Sequence, residues 1–245
     1  MIHNSANIDN VVNNFVRGAF EYAGQKCSAT SRGYVPASKW GEIKAKLVEI
    51  LPKLKVGQPD DTYSFLSSVI DSKAFTRITS YIERAKASES CEVLGGEYDD
   101  SIGQFIHPTI IVTKDPKYET MEQELFGPVL TIYVYEDSEF ENVLDLIEST
   151  SVYALTGSIF ANDRNVIRHA SERLRECAGN LYINDKSTGA VVGQQPFGGA
   201  RQSGTNDKSG AEFILSRWTS MRTIKENFED LGNWGYPSVD GSQQK

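Results

Sequence analysis

Cys27 lies in the run Phe20-Glu21-Tyr22-Ala23-Gly24-Gln25-Lys26-Cys27-Ser28-Ala29, directly after a segment patterned as a half-buried helix. Ile8, Val11, Val12, Phe15, Val16, Ala19 and Phe20 repeat at helical spacing, and Gly24 then supplies a stop. Cys27 is therefore expected on a turn backed by packed structure. A thiol placed there attacks an electrophilic carbon once deprotonated, because the thiolate is the nucleophile. Position alone leaves the alternative of one more buried cysteine, since free cysteine is among the most buried residue types. The preceding helix also presents its C-terminal end, whose negative partial charge disfavours a thiolate, so activation has to come from elsewhere. A second candidate is Glu122-Gln123-Glu124-Leu125-Phe126-Gly127-Pro128. On its letters alone this run is an acidic turn punctuated by Gly-Pro. A third is the stretch 186–199, long for a connection and so either functional or disordered. Its Gly189 and Gly193 serve equally well as flexible loop positions.

The elements that must hold these residues alternate between helix and strand, as in an α/β domain. Tyr34-Val35 reads as a short extended segment, and Ser38 is expected to cap a helix whose Ile43, Leu47 and Ile50 share one face. Residues 72–87 read as a helix through Phe75, Ile78, Ile82 and Ala85. Core strands are predicted over 106–112, 129–135, 157–160 and 181–184, with 129–135 unusually β-prone. Helices over 140–147 and 166–174 separate the last three, which implies crossovers in a largely parallel sheet. The charged, Gly-Ser-containing end is expected to be an extended arm or disordered, dividing the chain into a catalytic domain over 1–227 and a tail over 228–245.

Composition bounds the reading. A chain of 245 residues with 39% hydrophobic content can bury a substantial core. A net charge of −8 argues against a nucleic-acid or anionic-membrane partner, because both attract basic surfaces. No apolar stretch approaches the roughly 18 residues of a membrane span, and the first residues carry no readable targeting address. Cys27, Cys91 and Cys177 are odd in number and far apart, which suits free thiols in a reducing compartment. With His3, His107 and His169 all distant in sequence from a cysteine, no metal site is expected.

Taken together, these segments resemble the aldehyde dehydrogenases. Gly24-Gln25-Lys26-Cys27-Ser28 is similar to the nucleophile segment of that superfamily. Phe20-Glu21-Tyr22, Tyr182-Ile183-Asn184-Asp185-Lys186-Ser187-Thr188-Gly189, Val192-Gly193-Gln194-Gln195-Pro196-Phe197-Gly198-Gly199 and Ser203-Gly204-Thr205-Asn206-Asp207-Lys208 point to one branch. That branch is the 1-pyrroline-5-carboxylate dehydrogenases, also called L-glutamate gamma-semialdehyde dehydrogenases. The likeness runs from about Ile2 to about Tyr236, with several motifs in the family's order.

The resemblance implies the fold of the family's catalytic domain and NAD-dependent oxidation of L-glutamate 5-semialdehyde to L-glutamate in proline breakdown. It makes Cys27 the nucleophile, through a thiohemiacetal whose oxyanion takes the Cys27 backbone N–H, and then a thioester hydrolysed by activated water. It assigns Glu124 to the nicotinamide ribose hydroxyls of NAD and Phe126 to the space beside the ring. Gly189 and Ala190 match the loop that holds the substrate carboxylate, where the family pattern has a serine at the position of Ala190. Ser28 can supply a hydroxyl, and Phe197 can pack on the substrate's aliphatic carbons. The implied partner is a small-molecule aldehyde, with assembly as a homo-oligomer. The implied location is the mitochondrial matrix in a eukaryote or the cytoplasm in a bacterium.

The family's dinucleotide-binding domain, its general-base glutamate and an oxyanion-hole asparagine are expected upstream of Met1. The chain is therefore expected to be the catalytic part of an enzyme, inactive when isolated. The competing reading is a truncated, catalytically inactive fragment that serves as a binding or assembly module. A cysteine hydrolase is a third reading, which would need a histidine beside Cys27.

Overall fold

The first helix forms where its pattern places it. In the computed structural model, which describes residues 1–236 and 238, α1 spans Ile8–Phe20, and the Asn7 side chain caps it by accepting the Asn10 N–H at 3.0 Å. Its buried face presents Val11, Val12, Phe15, Val16 and Phe20 to a core shared with Val35, Ile43, Leu47, Leu130 and Ile132. Strand β1 (Arg32–Pro36) runs into α2 (Ala37–Ile50). The cap expected from Ser38 is supplied differently. Pro36 occupies the cap position, and the Ser38 N–H and Oγ both donate to the Asp137 carboxylate, at 3.1 and 2.6 Å. A carboxylate brought in from far along the chain is the stronger acceptor at a helix N-terminus, because it adds charge to the hydrogen bond.

Helix α3 (Ser72–Ala87) opens on Asp71, whose side chain accepts the Ala74 N–H at 2.7 Å, and it spans the residues predicted. Then follow β2 (Cys91–Leu94), β3 (Tyr98–Asp99), β4 (Phe105–Ile106), β5 (Thr109–Thr113), the short α4 (Glu119–Glu122) and β6 (Val129–Tyr135). The single strand expected over 106–112 is broken into β4 and β5 at Pro108, which has no N–H to give a ladder. A four-stranded sheet has the order β1-β6-β5-β2, in which β1, β6 and β5 are parallel and β2 is antiparallel at the edge. The β-prone run β6 sits inside this sheet. Helix α3 covers one face through Ile78 and Ile82 against Ile106, Ile111 and Val129.

The chain continues as α5 (Phe140–Thr150), β7 (Tyr153–Ala154), β8 (Thr156–Ile159), α6 (Arg164–Arg173), β9 (Asn180–Ile183) and β10 (Ala200–Arg201). Strands β8 and β9 are parallel, and α6 makes the crossover between them. Met1–His3 lies between the two parallel sheets: the Ile2 N–H donates to Tyr34 O at 3.0 Å, and the His3 N–H donates to Phe160 O at 2.9 Å. The α/β class with a largely parallel sheet is the fold observed, and β2 is its antiparallel exception. The chain divides into two compact units, Met1–Ala211 and Glu212–Lys245, and the expected tail over 228–245 lies in part outside the described residues. In the second unit a 3-10 turn spans Glu212–Arg217.

Candidate active site

Helix α1 ends at Phe20, earlier than the stop expected at Gly24, because the chain first turns through a left-handed run. Tyr22, Ala23 and Gly24 have φ of 55°, 53° and 66°. The first two are costly for residues with a Cβ, and such strain gathers where surrounding structure imposes a conformation. Gly24 shows what imposes it. A Cβ there would lie 2.1 Å from the carbonyl oxygen of Gly127, so the cysteine segment and the loop 122–128 are pressed together backbone to backbone.

The next residues form a turn closed by the Ala29 N–H on Lys26 O at 2.9 Å. Cys27 sits in this turn and is exposed, unlike a core cysteine. The Cys27 N–H donates to no acceptor among the described residues, which leaves it free for an incoming oxygen. Lys26 is tied back to the helix end through Glu21, with Nζ to Oε2 at 2.9 Å, and Arg17 pairs with the same carboxylate. Burial alone would raise the Glu21 carboxyl, but hydrogen bonds from Lys26 and Arg17 bring it below the ordinary glutamate value.

Glu124 is exposed on the opposing loop, flanked by buried Leu125, whose carbonyl accepts Arg77 Nη2 at 2.8 Å. Phe126 follows in the left-handed region at φ 54° and is 42% exposed, an unusual presentation for a large apolar side chain. One cavity is lined by Cys27, Glu124 and Phe126 together with Thr30, Arg32 and Cys177. Cys177 is the second thiol there. Burial pushes it above the usual cysteine range, only partly offset by Arg201, which leaves Cys27 as the accessible sulfur. No histidine lines the cavity: His3 bonds Ser5 and His169 bonds Glu141, so the hydrolase reading has no base beside Cys27.

The loop 186–199 starts on the Cys27 segment. Ser187 Oγ donates to the Ser28 carbonyl at 2.8 Å and lies 3.1 Å from Thr30 Oγ1. Ser28 itself is buried. Gly189, at φ +85°, is exposed and Ala190 half-buried, while Phe197 exchanges two backbone hydrogen bonds of 2.9 Å with Ser209. Ser28, Gly189, Ala190 and Phe197 do not line the Cys27 cavity. The structure thus joins Cys27 to Glu124 and Phe126 directly, and reaches the long loop only through Ser28 and Ser187. Thr30, Arg32 and Cys177 escaped the sequence reading as lining residues: no motif marks Thr30 or Arg32, and Cys177 reaches the cavity only through the tertiary fold.

The model of the aldehyde dehydrogenase family matches residues 1–224. The chain is 59% identical to the mitochondrial Delta-1-pyrroline-5-carboxylate dehydrogenase of Dictyostelium discoideum over 96% of its own length and 42% of that protein. It is 55% identical to the Bos taurus protein of the same name over the same shares. The crystal structure of the Delta-pyrroline-5-carboxylate dehydrogenase from Mycobacterium tuberculosis bound with NAD superposes with a TM-score of 0.86 at 46% identity, over 97% of this chain and 43% of that one. The chain therefore spans about 42% of the length of the curated relatives it matches. With the Cys27 turn, the acidic loop and the sheet beneath them all falling inside the matched residues, the chain belongs to the aldehyde dehydrogenase family.

Proposed function

We propose that this chain carries the thiol chemistry of an NAD-dependent oxidation of L-glutamate 5-semialdehyde to L-glutamate, a step of proline breakdown. The observation that carries the reading is the convergence of exposed Cys27 with Glu124 and Phe126 on one cavity. The Cys27 thiolate adds to the aldehyde carbon, and the new oxyanion accepts the free Cys27 N–H. NAD, when bound, supplies the acceptor for the hydrogen that leaves this carbon with its bonding electrons. The thioester left on Cys27 is then hydrolysed by water, releasing the carboxylate and restoring the thiol.

The residues present fit such a cofactor at its nicotinamide end. Exposed Glu124 has two oxygens for the ribose hydroxyls, and Phe126 is held outward beside it for the ring. Ser28, Gly189, Ala190 and Phe197 are assigned to the substrate's carboxylate end and aliphatic carbons. We place the catalytic domain over 1–227 and an arm over 228–245, with homo-oligomeric assembly and a mitochondrial matrix location if the source is eukaryotic. Relatives that act as dehydrogenases are more than twice as long, which supports a chain that turns over no aldehyde when isolated.

Iodoacetamide labelling followed by mass mapping tests the assignment. Cys27 should be modified faster than Cys91 or Cys177 in the folded chain. Protection of Cys27 while either of the others reacts would remove it as the nucleophile.

A further inference from the structure

Glu21 stands where a carboxylate is disfavoured. It closes α1, its N–H donating to Arg17 O, and the carbonyls of a helix end carry partial negative charge that repels an anion. A neutral residue would close the helix without needing a counter-charge. Glu21 instead draws a cation from each of two elements, Arg17 from the last turn of α1 and Lys26 from the turn that carries Cys27.

The two carboxylate oxygens divide the work. Oε1 accepts Arg17, and Oε2 accepts Lys26 Nζ at 2.9 Å, so the second bond closes a ring of chain around the left-handed run 22–24. Gln25, inside that ring, is engaged elsewhere: its Nε2 donates to Tyr22 O at 3.3 Å and to Ser68 O at 3.4 Å. Among the described residues, Glu21 is the one carboxylate with which Lys26 pairs.

The direction of this bond bears on the sulfur. Lys26 lines the Cys27 cavity, whereas Glu21 and Arg17 do not, so the pairing draws the ammonium away from the cavity and toward the helix end. Neighbouring Cα atoms lie about 3.8 Å apart, and a lysine ammonium swings on a flexible four-carbon stem, so a released Lys26 reaches the Cys27 sulfur. The other cation lining the cavity is already committed, Arg32 Nη1 donating to Met121 O at 3.0 Å. An unpaired ammonium beside a thiolate makes the sulfur a weaker nucleophile and gathers small anions around it.

We propose that Glu21 is a positioning residue for the reaction at Cys27, holding the Lys26 ammonium off the sulfur and against the end of α1, so that the thiolate meets its electrophile without an adjacent unpaired cation. Arg17 completes the clamp, because it holds the carboxylate from the helix side while Lys26 is held from the turn. The proposal rests on the reading of Cys27 as the nucleophile and adds to it how the charge around that nucleophile is set.

The test compares two alkylating agents of similar size on the 245-residue chain, neutral iodoacetamide and anionic iodoacetate, with mass mapping of Cys27. The ratio of their rates cancels the ionised fraction of the thiol and reads the charge around it. At about 10 mM ionic strength, Glu21→Gln should raise the iodoacetate-to-iodoacetamide ratio about threefold over the parent chain, the size of one unit charge acting over several ångströms in water, and about 1 M salt should erase the rise. Lys26→Met should move the ratio by less than about 1.5-fold, because the charge it removes is already held away, and in its background Glu21→Gln should produce no rise. The Lys26 side chain is 33% exposed, so Lys26→Met keeps the fold and carries the test even should Glu21→Gln unfold the chain. A ratio unmoved in Glu21→Gln, whatever the two rates do together, would reduce Glu21 to a brace of the turn and overturn the proposal. A rise that survives salt or Lys26→Met would overturn it too, as would a fall in Lys26→Met as large as the rise in Glu21→Gln, which would put the ammonium at the sulfur already. Cys27 left unlabelled by both reagents while Cys91 or Cys177 reacts would instead remove Cys27 as the nucleophile, and the proposal with it.

Discussion

The Cys27 turn and the long loop 186–199 touch at Ser28 and Ser187, yet they are held by different means. The turn hangs from a helix whose apolar face is wholly inside the core, and it is clamped against Gly127 with no room for a methyl group. The loop has no helix or strand between β9 and β10, and is tied largely by hydrogen bonds. Lys208 supplies one of them, donating to Gly198 O at 2.6 Å, and it also donates to Gly179 O and Asn206 Oδ1 at 2.7 Å each. A group that forms bonds to carbon must be positioned closely, because small misplacements cost rate steeply. A group that recognises the far end of a substrate can sit on an adjustable connection carried by a rigid scaffold.

The largest effect that would break this contrast is at the turn. Gly24→Ala should destabilise the chain by about 2 kcal/mol or more, since the new methyl group meets the Gly127 carbonyl and φ is left-handed. Urea unfolding would measure this; a loss under about 0.5 kcal/mol would mean that the turn is no more tightly built than the loop.

Lys208→Met should act locally. It removes charged hydrogen bonds at a partly exposed site, a loss of about 1 to 1.5 kcal/mol after allowance for solvent. Limited proteolysis within 186–199 should accelerate, while labelling of Cys27 stays unchanged. Faster labelling of Cys27 would show that the two regions move as one.

The smallest effect sharpens the role of the loop. In an enzyme form that turns over, Ala190→Ser adds a hydroxyl donor where the family pattern has serine. It should raise kcat/KM for glutamate semialdehyde by roughly fivefold, or about 1 kcal/mol, and leave a short aldehyde without a carboxylate unaffected. Equal change for both substrates would place Ala190 away from the carboxylate.

The sequence by itself determined the local elements and the three candidate segments. The repeat from Ile8 to Phe20 specified α1, the β-prone run specified β6, and Cys27 could be read on a turn, because each signal lies in neighbouring residues. Local letters misled where a distant group competed: Asp137 took the role expected of Ser38 at the start of α2. They also overran a break, since Pro108 divides a run whose apolar pattern continues through it. The meeting of Cys27 with Glu124 and the presence of Cys177 and Arg32 in the same cavity were decided only by tertiary structure. These depend on parallel strands brought together through crossovers, and the pairing of residues far apart in the chain leaves no periodicity in either segment alone.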